Sequence, residues 1–193
     1  MLKIERVYRQ VLKELIEEGR SFFQQKELAK KCSVSLGLVN YSLKPLVKIG
    51  AVKKAARGFR ITDPVKVLMH WASIRDLEGD IVLQARGSDE AELEMPPGVL
   101  FTAYSAAKIY YGIDVANYSE IWVYSDPEPI ARRFSGGPMR IMVLKPDKHL
   151  SSLKKTPIAQ IFVDLWNIPT WYAREFMLAV RERIDGVLAR LGY

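Results

Sequence analysis

Residues 28–62, LAKKCSVSLGLVNYSLKPLVKIGAVKKAARGFRIT, hold eight Lys or Arg and not one Asp or Glu. Soluble domains normally mix both signs, so an uninterrupted cationic run is either a solvated basic face or a surface that meets a polyanion. The apolar pattern inside the run shows what displays the charge. Leu28, Ala29 and Cys32 recur at helical spacing, and Val39, Leu43 and Leu46 follow at i, i+4, i+7. These predict one helix over about residues 24–32 and another opening at Ser35, whose hydroxyl suits an N-cap. The second helix leaves Gly37, Asn40, Tyr41 and Lys44 on its outer face, with Lys48 one turn further along. Beyond Gly50, AVKK and FRIT alternate like strands around Ala55-Ala56-Arg57-Gly58, with the glycine at a turn position. The hairpin so formed carries Lys53, Lys54, Arg57 and Arg60 without a local acidic partner, as a ribbon lying along phosphates requires.

Upstream, Ile4, Val7, Val11 or Leu12, and Leu15 with Ile16 predict a further amphipathic helix ending near Gly19. The segment QQKELAKKCSVSLGLVNYSLKPLVKIGAVKK, closed by RGFRITD, resembles the winged helix-turn-helix of bacterial and archaeal regulators over residues 1–63. The resemblance implies that the helix after Ser35 enters the DNA major groove while the hairpin touches an adjacent groove or the phosphates. Asn40 then pairs with adenine, and Lys44 with guanine or phosphate. Ser33 stands at the inter-helix turn where such motifs often have Gly, which predicts a reshaped turn, and Leu36-Gly37 stands where polar base readers are common. Pro45 removes an N–H deep in the helix, as a bend that lets Leu46 and Ile49 reach the core or as a hinge. Tyr41 either caps a neighbouring core or touches DNA.

The whole chain of 193 residues, 49% hydrophobic, is long enough for one large domain or two small ones. Its charge is unevenly divided: residues 1–62 carry a net +9 and residues 63–193 a net −2. This asymmetry predicts one module that meets a polyanion and one that does not. The single Cys32 falls in an apolar helical register and reads as core in a reducing compartment. His70 and His149 are too far apart in sequence for a recognisable metal site, so neither metal nor cofactor is expected. The N-terminus lacks a signal-like apolar region and no run of 18 apolar residues occurs, which predicts a cytoplasmic protein with no membrane partner.

Asp63-Pro64 predicts the start of a helix over residues 64–78 that connects the two modules. Residues 64–193 then form the second module, with the acidic, Pro-rich SDEAELEMPPG as a solvated loop. After Gly98 the chain alternates: VLFTAY then SAAKIYYG, EIWVYS then DPEPIARRF, then RIMVL and two helices from about residue 156. Asp126-Pro127 and Thr156-Pro157 read as N-cap and first-turn proline pairs. Both faces of IWVY and IMVL are apolar, so helices should cover the sheet front and back. The fold class expected is α+β: a winged helix-turn-helix plus a small mixed α/β domain. In the last helix Phe176, Val180, Ile184, Val187 and Leu191 form one stripe, for core packing or for a homodimer contact. Tyr104, Tyr110, Tyr111, Trp122 and Tyr124 line either a core or a pocket.

Two segments, LFTAYSAAKIYYG and TPIAQIFVDLWNIPTWYAREFMLAVRERI, resemble the C-terminal domain of AbiEi-type antitoxins of type IV toxin-antitoxin systems. In that family a winged-helix domain represses the antitoxin–toxin operon, and the second domain supports antitoxin action and cooperative DNA binding. The resemblance therefore implies an autoregulating repressor, linked functionally to a nucleotidyltransferase-like toxin. Asp164, Trp166 and Arg174 within the shared pattern read as capping, core and surface residues. An enzyme is not expected: Gly87-Ser88 followed by carboxylates is similar to a nucleotidyltransferase motif but lacks the paired metal-binding carboxylates on a strand. The alternative is a regulator outside toxin-antitoxin systems whose second module binds an effector or a protein partner.

Overall fold

The first helix, α1 (Lys3–Glu18), stops at Gly19, whose left-handed φ of 70° lets its N–H return to Leu15 O at 3.0 Å. The computed structural model describes residues 1–193, which divide into two units: residues 2–75 with 181–193, and Met1 with residues 76–180.

In the N-terminal unit a two-residue strand, β1 (Phe22–Phe23), leads into α2 (Gln25–Lys31) and α3 (Leu36–Lys48). The hairpin follows as β2 (Val52–Ala55) and β3 (Gly58–Ile61), and β3 is central in the order β1-β3-β2. Val7, Leu12, Leu15, Leu28, Cys32, Val39, Leu43 and Phe59 are all essentially buried, so the helical periodicities identified the core facing the sheet correctly. The short β1 was not anticipated, because two residues are too few to show a period. It accounts for Gly58. That residue does not adopt a left-handed turn conformation; a Cβ there would lie 2.1 Å from Phe23 O, so glycine is needed for the close approach of β1.

Three local expectations are corrected in this unit. Ser33 does not reshape the inter-helix turn: at φ 52° it adopts the left-handed conformation that Gly usually supplies. α3 continues past Pro45 to Lys48, and although Leu46 is buried, Ile49 is 41% exposed and does not reach the core. The helix after Asp63, α4 (Pro64–Ile74), lies wholly in the N-terminal unit and ends before residue 78. Asp63 caps it by accepting Lys66 N–H at 3.0 Å, and Val67, Leu68 and Trp71 are buried. Trp71 Nε1 donates to Glu5 Oε2 at 2.9 Å, and Arg75 Nε lies 3.5 Å from the same oxygen. α4 is thus bonded to α1 within the first unit, which includes residues 2–75.

The second unit holds β4 (Ile81–Gly87), β5 (Leu100–Thr102), α5 (Ala103–Tyr111), β6 (Glu120–Tyr124), α6 (Pro127–Arg133), β7 (Met139–Leu144) and α7 (Ile158–Trp166). Its sheet runs β4-β7-β6-β5, with β6 and β7 parallel and both edges antiparallel. Every residue of β6 is buried, as a central strand covered on both faces requires. β4 escaped the sequence reading although IVLQARG alternates: its odd-numbered residues lie inward and its even-numbered ones face water. The acidic loop is not simply solvated, because Ala91 sits in the core and Glu92 accepts hydrogen bonds from Ser105 and, at 2.6 Å, from Tyr118. Neither Asp126 nor Thr156 caps a helix with its side chain; Thr156 Oγ1 donates to Phe101 O at 2.6 Å instead, and α7 starts after Pro157. Tyr104, Trp122 and Tyr124 are core residues.

The last helix, α8 (Trp171–Arg190), passes from the second unit into residues 181–193 of the first. Its buried stripe is Phe176, Val180, Ile184 and Leu188, whereas Leu191 is 39% exposed. No helix is long and apolar enough to cross a membrane.

Candidate nucleic-acid interface

Ser35 starts α3 as expected, its Oγ accepting Leu38 N–H at 3.1 Å. Val39, Leu43 and Leu46 anchor the helix in the core, and Tyr8 OH donates to Ser42 O at 2.9 Å, which pins its middle. The opposite face is left to water: Gly37, Asn40, Tyr41, Lys44 and Lys48 are all exposed. Tyr41, at 61%, therefore caps no core. Asn40 Nδ2 donates only to its own helix, to Leu36 O at 3.2 Å, an exposed bond that a better acceptor can replace.

The hairpin presents Lys53, Lys54, Arg57 and Arg60, all exposed. Register places Lys53 directly opposite Arg60, a cross-strand pair of like charge. Such a pair destabilises an isolated ribbon and is relieved when an anion lies over it. Arg60 Nη1 donates to Ser21 Oγ at 3.1 Å, which orients the guanidinium without neutralising it.

The cationic run is sorted by its acidic surroundings. Glu14 on α1 has a side chain only 1% exposed, and Lys31 Nζ lies 2.7 Å and Arg20 Nη1 2.8 Å from its oxygens. Glu27 takes Arg20 at 2.6 Å and Lys31 at 2.9 Å. These four residues tie α1, the turn after it and α2 together. Hydrogen bonds from Arg20 and then Lys31 hold the Glu27 carboxyl down at about 2. Burial pushes Glu14 up, yet bonds from Lys31 and Gln10, with the charges of Lys31 and Arg20, bring it below the usual carboxylate range. By contrast Lys44, Lys48, Lys53, Lys54, Arg57 and Arg60 form no ion pair with any carboxylate of the chain. Lys26 and Lys30 share that freedom and were not among the residues expected to contact DNA.

The first turn of α3, the start of α2 and the tip of the hairpin enclose a groove of about 450 Å³. Leu36, Ala55 and Ala56 line it with Gln25, Lys26 and Arg57. Lys26 of α2 and Arg57 of the hairpin are the free cations that line this groove, and the remaining ones lie exposed on α3 and the hairpin of the same unit, a supply of unneutralised positive charge suited to a polyanion.

Residues 8–53 match the family model described as winged helix-turn-helix DNA-binding. Comparison with curated proteins and with solved structures gives no match. The matched span runs from α1 through Lys53 and includes the exposed face of α3; the chain carries a winged helix-turn-helix DNA-binding domain.

Proposed function

We propose that this chain is a sequence-specific transcriptional repressor that binds DNA as a homodimer, an AbiEi-like antitoxin that represses its own operon. The observation that carries the reading is the set of six unpaired cations on α3 and the hairpin, in the same domain in which Arg20 and Lys31 are neutralised by Glu14 and Glu27. Asn40 and Lys44 face base edges, Ser35 and Lys48 approach the flanking backbone, and the hairpin follows phosphates. Tyr41 packs against a sugar or base. The chain acts by binding, without catalysis or cofactor, and its action as antitoxin is directed at a nucleotidyltransferase-like toxin.

Binding of the full chain to a duplex from its own promoter region, followed across salt concentrations, tests the reading. With about five phosphate contacts, log K should fall against log salt with a slope of roughly −4 to −5. A dimer should protect two half-sites about one helical turn apart. A flat salt response overturns the DNA reading. Failure to relieve toxicity when co-expressed with the toxin gene of its operon, while repression persists, overturns the antitoxin reading alone.

The second reading, a regulator outside toxin-antitoxin systems whose second module takes a protein partner, is supported by the exposed Trp171 at the start of α8, 70% accessible. Tryptophan is among the residues enriched at the energetic centres of protein interfaces.

A further inference from the structure

The first residue of α3 is a leucine with 40% of its surface in water, although the same helix buries three other apolar residues almost completely. Leu36 is not a misplaced core residue. It lines the groove together with Ala55 and Ala56 of the hairpin tip and with Lys26 and Arg57, both free of carboxylate partners. The neighbouring Gly37 adds nothing to the surface: a Cβ there would meet only Ser35 Oγ, 3.8 Å away. Asn40 follows one turn later on the same face, bonded to the Leu36 carbonyl. The exposed face of α3 thus begins with an apolar side chain, passes over a glycine and continues with an amide one turn later.

Recognition helices of helix-turn-helix domains contact base edges through their N-terminal residues. On the major-groove edge the 5-methyl group of a pyrimidine is the apolar feature, and all other groups there are hydrogen-bond donors or acceptors. We infer that Leu36 is a specificity-determining residue that reads a pyrimidine 5-methyl group, carried by thymine in unmodified DNA or by 5-methylcytosine in methylated DNA. The inference rests on the DNA-binding reading above. Lys26 and Arg57 hold the phosphates on either side, Leu36 packs on the methyl group, and Asn40 contacts an adjacent adenine. Discrimination should be modest, about fourfold per methyl group, the worth of one methylene-sized apolar contact.

The test uses the full chain and the duplex it enriches from a random pool. At each thymine of that duplex the base is replaced in turn by uracil, cytosine and 5-methylcytosine, and affinity is measured at one salt concentration. At one position per half-site, loss of the methyl group should weaken binding about fourfold. If thymine is the natural ligand, 5-methylcytosine restores only part of the loss; if methylated DNA is, 5-methylcytosine binds at least as well as thymine. Leu36→Ala should bind the methylated and unmethylated duplexes equally while keeping the wild-type salt slope. Indifference of the wild-type chain to the methyl group at every position overturns the inference, as does full discrimination by Leu36→Ala, and both leave salt-dependent DNA binding standing. Absence of any salt-dependent duplex binding overturns both readings together.

Discussion

Lys31 Nζ lies 2.7 Å from Glu14 Oε1, a carboxylate buried beneath it, so one member of the cationic run belongs to the scaffold and not to the interface. The pairing separates positive charge that orients α2 from positive charge left free for a polyanion. It also makes Glu14 a structural residue with a measurable effect. Glu14→Gln removes the negative charge and one of the two acceptor oxygens that hold Lys31 and Arg20, and should cost about 1.5–3 kcal/mol, read from the urea midpoint of the full chain. Duplex affinity should not fall, because Lys31 and Arg20 regain water rather than leave the surface.

Acid should unfold the same region in a defined window. Arg20 and Lys31 hold Glu27 at about 2 in the folded protein against an ordinary 4.5. A carboxyl with a depressed folded value contributes its stability above the unfolded value and loses it as pH falls through the folded one. The urea midpoint should therefore decline from about pH 4.5 to about 2, and Glu27→Gln should flatten that decline.

Ser33 occupies left-handed backbone on an exposed turn. Glycine adopts that conformation without the Cβ penalty, though it costs entropy in the unfolded chain. Ser33→Gly should raise stability by up to about 1 kcal/mol in thermal unfolding, with duplex affinity unchanged.

Asn40→Ala should cost about 1–3 kcal/mol on the enriched site and leave binding to random duplex untouched. Competition titrations against both DNAs measure the difference. Equal loss on both would mean that Asn40 contacts backbone and not a base.

In the second unit Asp164 is fully buried and accepts from Thr102 Oγ1 at 2.6 Å, Tyr124 OH at 2.7 Å and Gln160 Nε2 at 2.8 Å. Asp164→Ala removes the acceptor that these donors share between β5, β6 and α7, leaving Gln160 Nε2 its bond to Tyr124 OH at 3.2 Å. At about 1–3 kcal/mol for each buried polar group left unsatisfied, the loss should exceed 3 kcal/mol in denaturant unfolding.

Periodicity and charge were enough to place α1, α2 and α3, the two hairpin strands, the buried Val39, Leu43 and Leu46, and the exposed cations, because each depends on neighbours within a few residues. The same logic found β6 and β7 by their apolar faces. What required the folded chain was every feature set by residues distant in sequence. Gly58 is a glycine because Phe23 crosses it, α4 joins the first unit because Trp71 and Arg75 reach Glu5, and Lys31 leaves the interface because Glu14 lies under it. Asp164 likewise exposes nothing of its role in the pattern around it, since its partners lie 40 and 62 positions away as well as one turn back. Local spacing fixes which residues can share a face; only packing decides which charges find a counter-charge and which are left for DNA.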